Sequence, residues 1–372
     1  MVYAGKTRVF TPIAEAGVTK YGEKGLFEEG NFAHLSILPS WRAALAATAN
    51  AGLAKSTWSS YKTGIKMFQL CCRETNAQVS FPLDHDSIVT FVAWMLNRGL
   101  AASTMQTYIT SLRQFHSLNN FMPPTLRSPL VNIVLEGKKH LDAIQARTNP
   151  KKRRLPMTPT VMKLLKKNLK VSNHKKEEQL LIWCIATIAF AGALRIHEIL
   201  ARNETKFDPA FTLLGEDLKL LDVDINGENV NILQVRIKSE KKDRIGVDCL
   251  IDIYESKGEL CPIKAFKKWS KIVTHTNRNL PAFCDSQGKP FTGRRMNETL
   301  KDMLQADLKY DLGKYSAHSF RIGMASMMGQ LGFSDEDVKA CGRWSSRAFE
   351  TYFRLPRTRR LEMARKLAAL KL

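Results

Sequence analysis

Seven cysteines in 372 residues, with no Cys-x-x-Cys pair among them, leave little basis for a disulfide scaffold. The eight histidines show no zinc-type spacing with those cysteines, so no metal site is expected. A reducing intracellular compartment fits this cysteine usage. No apolar run approaches the ~18 to 20 residues that a bilayer span requires. Met1 to Pro12 lacks the apolar core of a secretion signal, and none is expected there. Acidic side chains are also scarce: 35 Asp and Glu face 57 Lys and Arg, a net charge of +22. Such an excess points to a polyanionic partner, and with no membrane segment that partner is expected to be nucleic acid. What remains is ordinary: 44% hydrophobic and 25% charged residues, enough for real cores. A chain of this length exceeds what one core usually serves, so two domains are expected.

Residues 1–40 carry scattered Gly, Glu and Lys with weak periodicity and read as an N-terminal arm, partly disordered. From Pro39 the pattern is helical. Ser56 or Thr57 is placed to cap a helix bearing Trp58, Tyr61, Ile65 and Phe68 at helical spacing. A second helix, from about Asp86 to Leu96, shows Ile88, Phe91, Val92 and Met95. A third, from near Ser103, shows Met105, Tyr108, Ile109, Leu112 and Phe115. These stripes are core. The polar faces between them carry Lys62, Lys66, Arg98 and Arg113, of which Lys62, Lys66 and Arg113 are candidate phosphate contacts, with solvated surface as the plainer reading. Residues 41–146 thus form a helical domain.

Arg147 to Pro156 reads RTNPKKRRLP, two prolines around four consecutive basic residues, so 147–157 is a linker. Lys151, Lys152, Arg153 and Arg154 are open to three readings: a nuclear import signal, a strap on phosphate, or solvated charge. A second domain, 158–356, begins at Thr158. Glu178 to Leu194 reads as a buried helix. Lys219 to Ile225, Val230 to Ile237 and Val247 to Tyr254 alternate as strands, joined by a tight Asn226-Gly227 turn and a polar tip from Ser239 to Gly246. Beyond Pro262 the chain reads as helical, with a loop around Leu280 to Gly293. The fold class is therefore mainly α with a small antiparallel β-sheet.

Three short segments carry the chemistry. Ala193-Leu194-Arg195-Ile196-His197-Glu198 follows the buried helix; Ala317-His318-Ser319-Phe320-Arg321 opens another; Cys341-Gly342-Arg343-Trp344 precedes Ser345 through Tyr352. Their order, an Arg, then His-x-x-Arg, then Trp, then Tyr, resembles the tyrosine recombinase and integrase family over about residues 45–360. The final block, GRWSSRAFETYFR, looks nearest to the eukaryotic crypton and DIRS-type mobile-element branch. His197, where that family more often has a small residue, and Trp344, in place of the commoner His, depart from the family pattern. Alone, an Arg after a buried helix is usually a surface residue and a Tyr near a terminus is usually core; their joint order carries the resemblance.

The resemblance implies a SAM-like core-binding domain and a tyrosine recombinase catalytic domain clamping duplex DNA. It assigns Arg195 and Arg321 to the phosphate's non-bridging oxygens, a role that suits planar, permanently charged guanidiniums. His318, three residues before Arg321 and so on one helix face with it, donates a hydrogen bond or takes the tyrosine proton. Trp344 orients through its indole N–H. Tyr352 is the nucleophile; Tyr315 is its rival, without the Gly-Arg-Trp approach. The leaving 5′ oxygen takes its proton from Lys241 on the tip between strands two and three, with Lys238 as the fallback. Glu198 braces the site. No cofactor, metal or small molecule is expected. The partners implied are duplex DNA and further copies of the chain, a dimer per site and a tetramer in synapsis, in a eukaryotic nucleus. Residues 357–372, with Leu361, Met363, Leu367 and Leu370 on one helix face, dock on a neighbouring protomer or on their own domain. Two rival readings are a DNA-binding derivative that no longer cuts and an enzyme like type IB topoisomerases.

Overall fold

The computed structural model describes residues 36–51, 55–78, 81–118, 128–148, 154–225, 227–238, 249–272, 279–305, 312–344 and 346. The chain divides into two compact units, Met1–Lys151 and Lys152–Leu372, a boundary inside the basic run.

The first unit is helical. Its elements are α1 (Pro39–Ala51), α2 (Lys55–Glu74), α3 (His85–Asn97), α4 (Ala102–Leu118) and α5 (Pro129–Thr148). The periodic apolar residues become its core: Trp58, Phe68, Ile88, Phe91, Val92, Met95, Met105, Ile109 and Leu112 are all buried. Phe68 of α2 meets Phe91 of α3 edge to face, ring centroids 5.2 Å apart. The α2–α4 crossing is close because position 64 has no side chain: a Cβ on Gly64 would stand 2.4 Å from Ser111 Oγ and 3.1 Å from Tyr108 Cα. Helix α3 begins where the Asp84 carboxylate accepts the Ser87 N–H at 2.8 Å. Similarly, Asp142 of α5 accepts the Ala102 N–H that opens α4, at 2.8 Å.

Two expectations change here. Ser56 and Thr57 lie inside α2, which starts at Lys55, and so do not cap it. The linker is shorter than 147–157 at its start, because α5 runs to Thr148 and takes up Arg147 in its last turn.

The second unit packs around one apolar helix. It comprises α6 (Pro159–Lys170), α7 (Lys176–Ala191), the single turn α8 (Ile196–Ile199), strands β1 (Leu218–Ile225), β2 (Glu228–Ile237) and β3 (Cys249–Tyr254), then α9 (Pro262–Ser270), α10 (Gly293–Gln305), α11 (His318–Leu331) and α12 (Asp335–Cys341). Every residue of α7 from Leu181 to Phe190 is buried, which explains the unbroken apolar run. Each large aliphatic side chain there contributes about 1.5–3 kcal/mol of burial. Helices α9 and α11 cover α7. Thr158 caps α6, its hydroxyl accepting the Val161 N–H, with Pro159 in the first turn.

The strands form an antiparallel meander in the order β1-β2-β3. Leu220 pairs with Leu233, and Val235 with Ile251. Gly227, at φ +87°, turns the first hairpin as the Asn226-Gly227 pair predicts. Where β2 leads into the second turn, buried Asp217 receives Arg236 at 2.5 Å and Lys238 at 2.9 Å. The fold is thus mainly α with one small three-stranded antiparallel sheet. Among the described residues no helix is long and apolar enough to cross a membrane.

Candidate active site

The site forms where three segments of the second unit meet. The first is the exit from α7. The helix ends at Gly192, and Ala193 takes a left-handed conformation, φ +46°, which turns the chain into Arg195, the residue that caps α8. The second is the start of α11, which carries His318 and Arg321 one turn apart. The third is the exit from α12, where Arg343, at φ +53°, is also left-handed and precedes Trp344. A non-glycine residue in that conformation costs about 1–2 kcal/mol. Two of the three such residues among those described lie here.

Arg321 ties the three segments together. Its side chain is fully buried. Nη1 donates to the Ala193 carbonyl and Nη2 to the Gly342 carbonyl, so each left-handed turn presents a carbonyl to the same guanidinium. The Trp344 ring stacks on it, its centroid 4.2 Å from Cζ. Trp344 therefore meets Arg321 through its ring face, a contact that the sequence did not suggest.

Glu198 contacts two of the site's arginines. Its carboxylate is buried and accepts the backbone N–H of Arg195 at 2.7 Å and Arg195 Nη1 at 2.5 Å. The same carboxylate accepts Arg343 Nη2 at 2.9 Å. Arg195 itself is 28% exposed, so its guanidinium reaches solvent where Arg321 does not. Sequence reasoning did not single out Arg343, although it stands immediately before Trp344.

His318 is half-buried, and burial pushes its imidazole down to about 4, with the positive charges of Arg154, Arg321 and Arg195 adding to the effect. Arg154, read from sequence as part of a basic run open to three roles, is thus the strongest charged influence on His318. A neutral imidazole keeps one donor and one acceptor nitrogen. The depressed value also has a consequence for stability. Protonation costs more in the folded chain than in the unfolded one, where the usual value is 6.5. The stabilisation held by neutral His318 is present above pH 6.5 and lost as pH falls toward 4. Melting temperature should drop across that window, and less steeply in His318→Asn; equal slopes would refute the assignment.

Lys238, the fallback proton donor, is engaged elsewhere. Its ammonium stands 2.9 Å from Asp217 and 3.2 Å from the Pro209 carbonyl, with 12% of the side chain exposed. It anchors the base of the β2–β3 turn. Lys241 and Tyr352 lie outside the described residues, as do Lys151, Lys152 and Arg153. Tyr315 is buried within the core of the second unit. In the first unit Lys62 and Lys66, four apart, share a face of α2, Lys66 exposed and Lys62 partly so, while Arg113 on α4 is half-buried. Among the described residues no group of His, Cys, Asp and Glu is arranged to hold a metal ion.

Residues 46–118 match the family described as phage integrase, N-terminal SAM-like domain. Several solved structures share the fold across most of the chain. The XerH site-specific recombinase bound to palindromic difH substrate, a post-cleavage complex, superposes with a TM-score of 0.56 at 12% identity, covering 94% of this chain and 92% of that one. A Tn1549 transposon integrase in complex with a circular intermediate DNA gives 0.51 at 15% identity, covering 84% and 94%. A lambda integrase dimer bound to a COC′ core site gives 0.50 at 14% identity, covering 85% and 76%. No curated protein sequence matches the chain significantly. The first unit carries a SAM-like domain, and the chain as a whole has the fold of these recombinases and integrases.

Proposed function

We propose that this chain is a site-specific DNA recombinase or transposase of a mobile element, breaking and rejoining duplex DNA through a 3′-phosphotyrosyl bond at Tyr352. The observation that carries this reading is the meeting of Arg195, His318, Arg321 and Trp344 from three distant segments around one electropositive point. The Tyr352 phenol attacks phosphorus and gives up its proton to water as the bond forms, while neutral His318 donates a hydrogen bond to a non-bridging oxygen. The bond from phosphorus to the 5′ oxygen breaks, and that oxygen takes a proton from Lys241. Guanidiniums offset the charge that gathers on the non-bridging oxygens, the term expected to lower the barrier most. Arg195, partly exposed, meets the phosphate directly; Arg321, buried beside it and held on the Ala193 and Gly342 carbonyls, adds positive charge at the same point. The ester retains the bond energy, so an incoming 5′-hydroxyl reverses the sequence on a second strand. Two sites bound by four copies exchange strands in this way through a Holliday junction. Nuclear action in a eukaryotic host and descent from the crypton or DIRS-type branch belong to the same proposal and rest on the closing block of sequence.

The test is covalent trapping on a nicked duplex, where the cleaved end is lost and the ester accumulates. An adduct stable in detergent, with the DNA fragment mapped to the peptide containing Tyr352, is expected. Attachment at Tyr315 would overturn the assignment. Duplex binding with no adduct would leave a DNA-binding derivative that no longer cuts, and supercoil relaxation by monomers without two-site products would favour a type IB topoisomerase-like enzyme.

A further inference from the structure

We propose that Arg343 is a positioning residue, which locks the segment carrying Trp344 onto the segment carrying Arg195 through the shared carboxylate of Glu198. The inference rests on the recombinase reading of the same site.

Glu198 is the only acid that the structure places between two of the site's guanidiniums among the described residues. Arg343 Nη2 meets Oε2 at 2.9 Å, and that oxygen also accepts the Arg195 backbone N–H at 2.7 Å. Oε1 meets Arg195 Nη1 at 2.5 Å. Arg343 Nη1 lies 3.5 Å from the carbonyls of Gly192 and Cys341, one from each segment, at the outer limit of a hydrogen bond. The Arg343 side chain is 10% exposed, so these contacts are made largely out of water, where a charged pair is strong.

The backbone adds an independent argument. Position 343 is left-handed, φ +53°, a conformation that glycine takes without strain and arginine does not. If only the turn mattered, glycine would serve better. The side chain that stands there instead reaches across to Glu198, so the strain is offset by what the guanidinium holds. The same turn sets the Gly342 carbonyl on Arg321 and the Trp344 ring over its face. Seating of residues 341–344 and the aim of Arg195 are thereby one event. Without Arg343, Glu198 would still pair with Arg195 but would lose the contact that fixes its own position.

Arg343→Gly separates the two roles, since it relieves the backbone while deleting the guanidinium. Arg343→Lys keeps the charge and gives up the planar fork. Wild-type and variant chains are compared for duplex affinity, melting temperature and single-turnover adduct formation. A positional error near a reacting phosphate costs about 10²-fold in rate. Arg343→Gly should lose about that much in cleavage while keeping duplex affinity within about threefold, since one screened cation contributes little to it. Arg343→Lys should recover about tenfold of the loss. Glu198→Gln combined with Arg343→Gly should be no slower than the worse single variant, because both act through Arg195. Placing a methyl group on one non-bridging oxygen of the scissile phosphate should shrink the Arg343→Gly deficit, because less charge then needs the aimed guanidinium. Unchanged cleavage in Arg343→Gly, or a deficit that only mirrors lost stability, would overturn the inference alone. A wild-type chain that forms no adduct overturns the recombinase reading and this inference with it.

Discussion

Arg321→Met is expected to destabilise the second unit by about 3–5 kcal/mol and to reduce adduct formation at least ~10³-fold. The structural part follows from the two carbonyls that Arg321 satisfies. Ala193 and Gly342 each accept one of its N–H groups, and each hydrogen bond to a charged donor contributes about 1.5–3 kcal/mol. Methionine fills much of the volume and offers no donor, so both carbonyls are left buried and unpaired. The Trp344 ring loses the cation it covers. The chemical part follows from the position: without the guanidinium, the two turns lose the donor they share and the site loses a buried positive charge. Arg321→Lys should recover little of either, because one ammonium does not span two carbonyls on opposite segments. Urea denaturation and trapping on nicked duplex measure the two parts separately. A variant with the wild-type midpoint would contradict the structural role.

Gly323→Ala should cost about 3 kcal/mol, at the upper end of ordinary overpacking. A Cβ there would lie 2.2 Å from the Met157 carbonyl oxygen, 2.9 Å from its carbon and 3.0 Å from Phe190 Cε2. Two of those three atoms are backbone. That backbone is itself bonded to α11, Met157 N–H donating to Ser319 O at 2.8 Å, so neither side yields without straining that bond. The helix that would have to move carries His318 and Arg321, so cleavage should fall with stability. The same chemical change at Gly137 of α5, where a Cβ meets nothing within 4 Å, should raise stability by about 0.5–1 kcal/mol. Melting temperatures of the two variants should therefore move in opposite directions; movement in the same direction would show that close approach of α11 to residue 157 is not what position 323 serves.

Much of this architecture was legible in the sequence because its signals are local. The stripes of α2, α3 and α4 and the alternation of the strands report which face is buried. Helix α5 was less legible because it carries apolar residues on two faces, Val131 and Leu135 on the buried one and Leu130, Ile133, Leu141 and Ile144 on an exposed one. Arg195, His318, Arg321 and Trp344 were legible from their order and residue type. The coupling among them was not. That Glu198 serves two arginines depends on left-handed turns at Ala193 and Arg343, and no residue pattern signals such turns when neither is glycine or asparagine. The ion pair of Lys238 with Asp217 was not legible either, because it joins residues 21 positions apart.

The enclosure of Arg321 bears on how a silent descendant of such an enzyme would look. Because that side chain bonds to backbone on both flanks, a lineage freed from cutting DNA would still be under pressure to keep it simply to stay folded. Arg195, partly open to solvent and paired with Glu198, carries far less of that burden. Decay of function in this architecture should therefore show at Arg195 before it shows at Arg321, the more deeply enclosed of the two guanidiniums.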